Sequence, residues 1–195
     1  MKREKQSTAR KVQTEVCSVR HAYLFDNFLR RIVHNRRKLF SPYLKPGMIA
    51  ADIGCGFGFA AIGMARLVGP AGKIIAADVQ QEMLDMTMKR AHRAGVDQII
   101  TPHLCQPDQV GIEEKLDFAV TFWVVHEMPD AGGFFTEMVS TLKPGGKYLL
   151  IEPPHHIDKE VMTAFVESAQ NIGLRLAGYP RVGFSMAALF EKLAS

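Results

Sequence analysis

From residue 48 onward, short apolar runs alternate with longer stretches in which apolar side chains recur every three or four positions. The first pattern fits strands buried on both faces of a sheet, and the second fits helices that bury one stripe. Strands are expected over 48–53, 73–77, 99–104, 116–122 and 147–152, with helices over 57–68, 81–94, 131–142 and 158–172. Gly69-Pro70-Ala71-Gly72 closes the first helix and Gly95 the second, because both residue types break helical backbone. Met83, Leu84, Thr87, Met88 and Ala91 form the inner stripe of that second helix. Such alternation calls for a doubly wound, mostly parallel sheet. After residue 172 it stops. Runs at 174–179 and 185–192 both read as strands, and Pro180-Arg181-Val182-Gly183 leaves no room for a helix between them. An antiparallel hairpin at the sheet edge follows, which brings the strand count to seven.

The first 45 residues differ. They hold twelve of the 24 Lys and Arg and three of the 20 acids, a balance of +9, while the remaining 150 residues come to −5. Residues 1–16 show no sustained apolar period and read as a solvated tail. Between 21 and 40, Tyr23, Leu24, Phe28, Leu29, Ile32, Val33, Leu39 and Phe40 recur at helical spacing, with arginines on the other faces. The expected division is a basic arm and helical cap over 1–45 and a sheet domain over 46–195. Nucleic acid is a possible partner for such an arm, but no aromatic platform or base-reading motif accompanies it.

Composition narrows the class. A chain of 195 residues that is 47% hydrophobic has the size and apolar content of one α/β domain. Cys17, Cys55 and Cys105 are too few and too scattered for a disulfide framework or a metal knuckle, so a cytoplasmic setting is expected. No apolar run has the length of a membrane span, and the N-terminus lacks a signal-peptide core.

The chemistry begins at Ala51-Asp52-Ile53-Gly54-Cys55-Gly56-Phe57-Gly58-Phe59, directly after the first expected strand. Glycine loops in that place turn sharply and open a helix whose backbone N–H groups face a bound anionic group. A dinucleotide fingerprint would put its third glycine at position 59, where this chain has Phe59, and that counts against NAD. The second strand runs into Asp78, twenty residues beyond Gly58, where a carboxylate can accept hydrogen bonds from the adjacent hydroxyls of a ribose.

Strand, glycine loop, helix, strand and acid together resemble the cofactor-binding half of the class I S-adenosylmethionine-dependent methyltransferases. Leu142-Lys143-Pro144-Gly145-Gly146-Lys147-Tyr148-Leu149-Leu150-Ile151-Glu152 is similar to the segment that leads those enzymes into their fifth strand, and the terminal hairpin resembles their sixth and seventh strands. Phe122-Trp123-Val124-Val125-His126-Glu127-Met128-Pro129-Asp130 looks like the segment flanking the transferable methyl in the ubiquinone/menaquinone-type enzymes. The resemblance spans about residues 39–193. It implies a Rossmann-like fold, S-adenosyl-L-methionine as cofactor, and in-line methyl transfer to a small-molecule acceptor.

It also implies a site. Asp52, Gly54, Cys55, Gly56 and Gly58 would surround the methionine part of the cofactor, with Cys55 read as a small packing residue and not a nucleophile. Asp78 would hold the ribose and Val79 would pack on the adenine face. Gln106, beside Pro107, stands where many relatives carry an acid that accepts from the adenine amine, with Asp108 as the alternative, and Phe122 borders the methyl. Strands four and five are expected to be neighbours, so His126, Glu127, Glu152, His155 and His156 should converge near the substrate. Three readings of that group stand: acid/base work, a metal site, or polar loop residues whose glutamates fix local turns. His126, Glu127 and His155 are the catalytic candidates. No metal is assigned, because the spacing matches no tight metal motif. Two alternatives to a small-molecule enzyme remain: a nucleic-acid methyltransferase gripping phosphates with the arm, and a silent cofactor-binding module.

Overall fold

The computed structural model describes residues 35–193. The expected tail at 1–16, the helical pattern between 21 and 34, and Cys17 lie outside these residues.

Chain order is α1 (Arg36–Phe40), β1 (Ile49–Ile53), α2 (Phe59–Val68), β2 (Lys73–Asp78), α3 (Gln81–Arg93), β3 (Ile100–Leu104), β4 (Leu116–Phe122), α4 (Ala131–Thr141), β5 (Leu142–Glu152), α5 (Lys159–Asn171), β6 (Leu174–Gly178) and β7 (Met186–Lys192). The seven strands lie in the order β3-β2-β1-β4-β5-β7-β6. The first five are parallel, and β7 runs antiparallel to both β5 and β6. From β1 the chain builds outward to β3 and then returns to start β4 on the other side, so the order reverses between β1 and β4. Open α/β sheets bind ligands beyond the carboxyl ends of their strands at such a reversal.

Alternation along each strand sorts side chains into two cores. Ala50, Ile74, Ala76, Phe118, Val120, Phe122, Leu149 and Ile151 face α1, α2 and α3. Ala51, Ile53, Ile75, Ala77, Ala119, Tyr148 and Leu150 face Phe134, Phe135 and Met138 of α4 and Met162, Val166 and Ala169 of α5. Phe40 and Leu44 belong to the first core, and Tyr43 stacks on Phe118 with ring centroids 5.5 Å apart, so residues 36–44 complete the sheet domain. In the second core the buried hydroxyls of Thr121 and Tyr148 satisfy one another at 2.6 Å. Among the described residues no helix is long and apolar enough to cross a membrane.

Most boundaries shift by a residue or two from expectation, and three of the differences have a clear local reason. Helix α2 starts at Phe59 and not at 57, because Gly56 and Gly58 adopt positive φ and keep the preceding residues in a turn. A single 3-10 turn, Asp97–Ile99, precedes β3. Strand β5 begins at Leu142, which pairs with Leu116 before the chain bulges through Lys143–Gly146 and resumes pairing at Lys147 opposite Phe118.

Candidate active site

The loop after β1 is held from below and from both sides. The N–H groups of Gly54 and Cys55 both donate to the carbonyl of Ala77, at 2.8 and 2.9 Å, which bends the loop over the end of β2. Asp52 is buried, and its Oδ2 accepts from Ala61 N–H at 2.7 Å, tying the last turn of β1 to the start of α2. The Thr87 hydroxyl donates to the Gly56 carbonyl at 2.8 Å, and Cys55 Sγ lies 3.8 Å from the same hydroxyl. Burial, with Asp52 and Asp78 nearby, holds the Cys55 thiol well above its ordinary pKa, so it stays a protonated packing group.

Asp78 closes the loop from the β2 side. Its Oδ2 accepts from Gly56 N–H and its Oδ1 from Gln80 N–H, each at 3.0 Å. Burial raises its pKa, and the backbone donors at Gly56, Gln80 and Val79 pull it back. A carboxylate has about four acceptor positions, so capacity remains for a ribose hydroxyl. Gly54 and Gly56 use their missing side chains differently. A Cβ on Gly54, at φ +69°, would lie 2.1 Å from Val124 Cγ2, whereas a Cβ on Gly56, at φ +50°, would meet nothing within 4 Å. The first glycine lets β1's loop seat against β4's loop; the second borders open space. That space, with Asp78 beside it and Val79 42% exposed at the next position, fits an adenosyl cofactor. Phe122 lies buried at the end of β4, edge-on to the Phe59 ring. Gln106 and Pro107 are exposed in the turn after β3, where Gln106 and Gln109 exchange backbone hydrogen bonds.

The loop after β4 is strained into shape. Trp123 has φ +67°, a left-handed conformation that costs a non-glycine residue about 1–2 kcal/mol. Its N–H donates to Ile151 carbonyl at 2.8 Å and its indole Nε1 to Ser185 Oγ at 3.0 Å, fastening the loop to β5 and to the β6–β7 connection. The chain then enters a 3-10 turn over Val125–Glu127. Glu152, fully buried at the end of β5, accepts Val125 N–H through Oε1 at 2.9 Å and meets His126 Nδ1 through Oε2 at 2.5 Å. His156 Nδ1 is 3.2 Å from the other nitrogen, His126 Nε2, and Glu127 Oε1 is 3.9 Å from it. Burial is the largest influence on His126 and lowers its pKa, but the hydrogen bond to Glu152 and the charges of Glu152 and Glu127 together raise it above the ordinary 6.5.

The expected convergence therefore appears for His126, Glu127, Glu152 and His156. His155 is exposed on the same loop, and it is His156 that reaches His126. Among the described residues no group of three or more histidine, cysteine or acidic side chains is placed to hold a metal ion. Glu152 pins the turn at Val125, as the third reading expected, and also holds the His126 ring. Thr87 and Val124 were not legible as site supports. Thr87 carried the periodicity of an ordinary helix stripe, and only the tight glycine at position 54 hints that a neighbour must pack there.

A methyltransferase domain model matches residues 50–146, from β1 into the bulge of β5. A demethylmenaquinone methyltransferase from Lactobacillus johnsonii is 31% identical over 121 residues, which cover 60% of this chain and 49% of that protein. The chain thus spans about half the length of the curated relatives it matches. Among solved structures, a SAM-dependent methyltransferase from Aquifex aeolicus superposes with a TM-score of 0.80 at 21% identity, covering 90% of this chain and 99% of that one. A putative S-adenosyl-L-methionine-dependent methyltransferase from Methanococcus maripaludis gives 0.77 at 16% identity over 100% of this chain and 98% of that one. These structural likenesses establish the fold.

Proposed function

We propose that this chain, which carries a class I S-adenosylmethionine-dependent methyltransferase domain similar to the quinone-type enzymes, methylates a small-molecule acceptor with its His126–Glu152 pair as the proton-accepting group. The observation that carries the reading is the clasp between Gly56 and Asp78 beside open space at the β1/β4 reversal. When bound, S-adenosylmethionine supplies a methyl group already activated by its sulfonium charge. The residues of this chain do the rest. Gly56 lets the cofactor approach the backbone, Asp78 accepts a ribose hydroxyl, and Val79 covers the adenine face. The Gly54–Val124 contact fixes the loop of β1 against the loop of β4, so donor and acceptor are held in one register. Orientation of this kind supplies on the order of 7–11 kcal/mol of barrier lowering.

His126 Nδ1 donates to Glu152, which leaves the lone pair on Nε2 to receive a proton. An ionised Glu152 also stabilises the imidazolium that results. A positioned base of this type contributes on the order of 10²–10⁴ in rate. The gain suits an acceptor that must lose a proton to become a nucleophile, and the relatives' name makes demethylmenaquinone, tested in its reduced quinol form whose O–H can ionise, the first compound to try. Cysteine usage supports a reducing, cytoplasmic setting.

Labelled-methyl transfer from S-adenosylmethionine, measured over an acceptor panel that starts with demethylmenaquinone, tests the proposal. Transfer lost in His126→Ala, with cofactor affinity intact, is expected. A panel that includes RNA and DNA fragments tests the arm's +9 charge at the same time: transfer to these alone, falling steeply with salt, would replace the small-molecule reading.

A further inference from the structure

We propose that His156 is the residue through which protons reach and leave the buried His126–Glu152 pair, so that this exposed ring, and not His126 itself, meets the acceptor or solvent. The inference rests on the reading of the site as a methyl-transfer centre.

The argument is one of valence. A neutral imidazole has one N–H and one lone pair. Glu152 is fully buried, and with Oε1 taken by Val125 N–H its Oε2 at 2.5 Å from Nδ1 fixes the proton of His126 on that nitrogen. Nε2 then presents the single lone pair of His126, and His156 Nδ1 already lies 3.2 Å from it. The two rings stand nearly perpendicular, at 89°, with centroids 5.1 Å apart. The His126 side chain is 11% exposed, whereas His156 is an exposed residue. A proton therefore has a hydrogen-bonded route into His126 through His156.

The step balances as follows. The Y–H bond of the acceptor would break, its electron pair remaining on Y to form the new Y–C bond while the methyl donor's C–S bond breaks with its pair left on sulfur, and the proton would go to His156 Nε2. The proton on His156 Nδ1 passes to His126 Nε2. His126 becomes an imidazolium held between Glu152 and Glu127, the two carboxylates that face it. After product leaves, the same transfers run backward and His156 Nε2 delivers the proton to water.

Nitrogen-15 histidine spectra of the full chain test this without knowledge of the acceptor. In the unaltered protein the His126 ring signals are expected to show one proton held on Nδ1 toward Glu152. In His156→Gln, with the amide spectrum otherwise preserved, exchange of the His126 proton with water should slow on the order of 10²-fold, and added imidazole should restore it. A second variant, His156→Asn, should behave alike. Unchanged His126 titration and exchange in both variants would overturn the relay. Calorimetry with S-adenosylhomocysteine on the same samples separates the two claims: intact binding with unchanged exchange sinks the relay alone, while absent binding in the unaltered chain sinks the methyltransferase reading and leaves the relay to the spectra.

Discussion

Gly56 N–H donates to Asp78 Oδ2 at 3.0 Å, so the tip of the loop after β1 and the carboxylate that ends β2 form one binding edge. The contact joins residues 22 positions apart, and it ties the two cofactor elements read from the sequence into one place. Asp78→Ala removes the acceptor for both Gly56 and Gln80 as well as the proposed ribose contact. Loss of a charge-assisted hydrogen bond costs about 1.5–3 kcal/mol, so affinity for S-adenosylhomocysteine should fall on the order of 10–10²-fold by calorimetry.

Gly54→Ala and Gly56→Ala should fail in different ways. The new methyl at position 54 would drive into Val124, and overpacking of this kind costs about 1–3 kcal/mol on top of the positive-φ strain. At position 56 the methyl enters open space, so only the strain of about 1–2 kcal/mol applies. Thermal denaturation should show the larger loss for Gly54→Ala, while Gly56→Ala should remain folded and lose cofactor affinity.

Activity should rise with pH along a limb set by His126. Its folded pKa is raised above 6.5 by Glu152 and Glu127 against the opposing effect of burial. The base form therefore accumulates at higher pH than in an ordinary histidine. The sign for stability is the reverse: the charged pair stabilises the fold fully below 6.5 and loses that contribution as pH climbs through the raised value. Glu152→Gln leaves burial largely unopposed and should move the kinetic limb to lower pH. A limb that stays in place would show that Glu152 does not tune His126.

Tyr148→Phe tests the packing under the site. The substitution leaves the fully buried Thr121 hydroxyl without its 2.6 Å partner. An unsatisfied buried hydroxyl costs about 1–3 kcal/mol, which urea denaturation should register, with methyl transfer at saturating cofactor little changed.

Strand and helix order was legible because short continuous apolar runs mark β1, β2, β4 and β5 while an apolar period of 3.6 marks the helices between them. The pairing of Asp78 with the glycine loop was legible because both stand at fixed spacings at the ends of the first two strands. Other features depend on contacts between distant segments. Asp52 reads as one more acid beside a glycine loop, and its burial and its bond to Ala61 emerge only once α2 lies against β1. Which of His155 and His156 would turn toward His126 depends on the path of the loop after β5, which adjacent identical residues do not encode. The left-handed Trp123 was hidden because it is imposed by Ile151 and Ser185 and not by its own preference. The bulge at Lys143–Gly146 was masked by Pro144 and two glycines, which read as a turn that ends before the strand begins.

Isothermal calorimetry of the full chain with S-adenosylhomocysteine, in the unaltered protein and in Gly56→Ala and Asp78→Ala, tests the central claim most directly. One site per chain is expected, weakened strongly by either substitution while the fold persists. Failure of the unaltered chain to bind, or affinities that do not change in either variant, would contradict the cradle formed by Gly56 and Asp78.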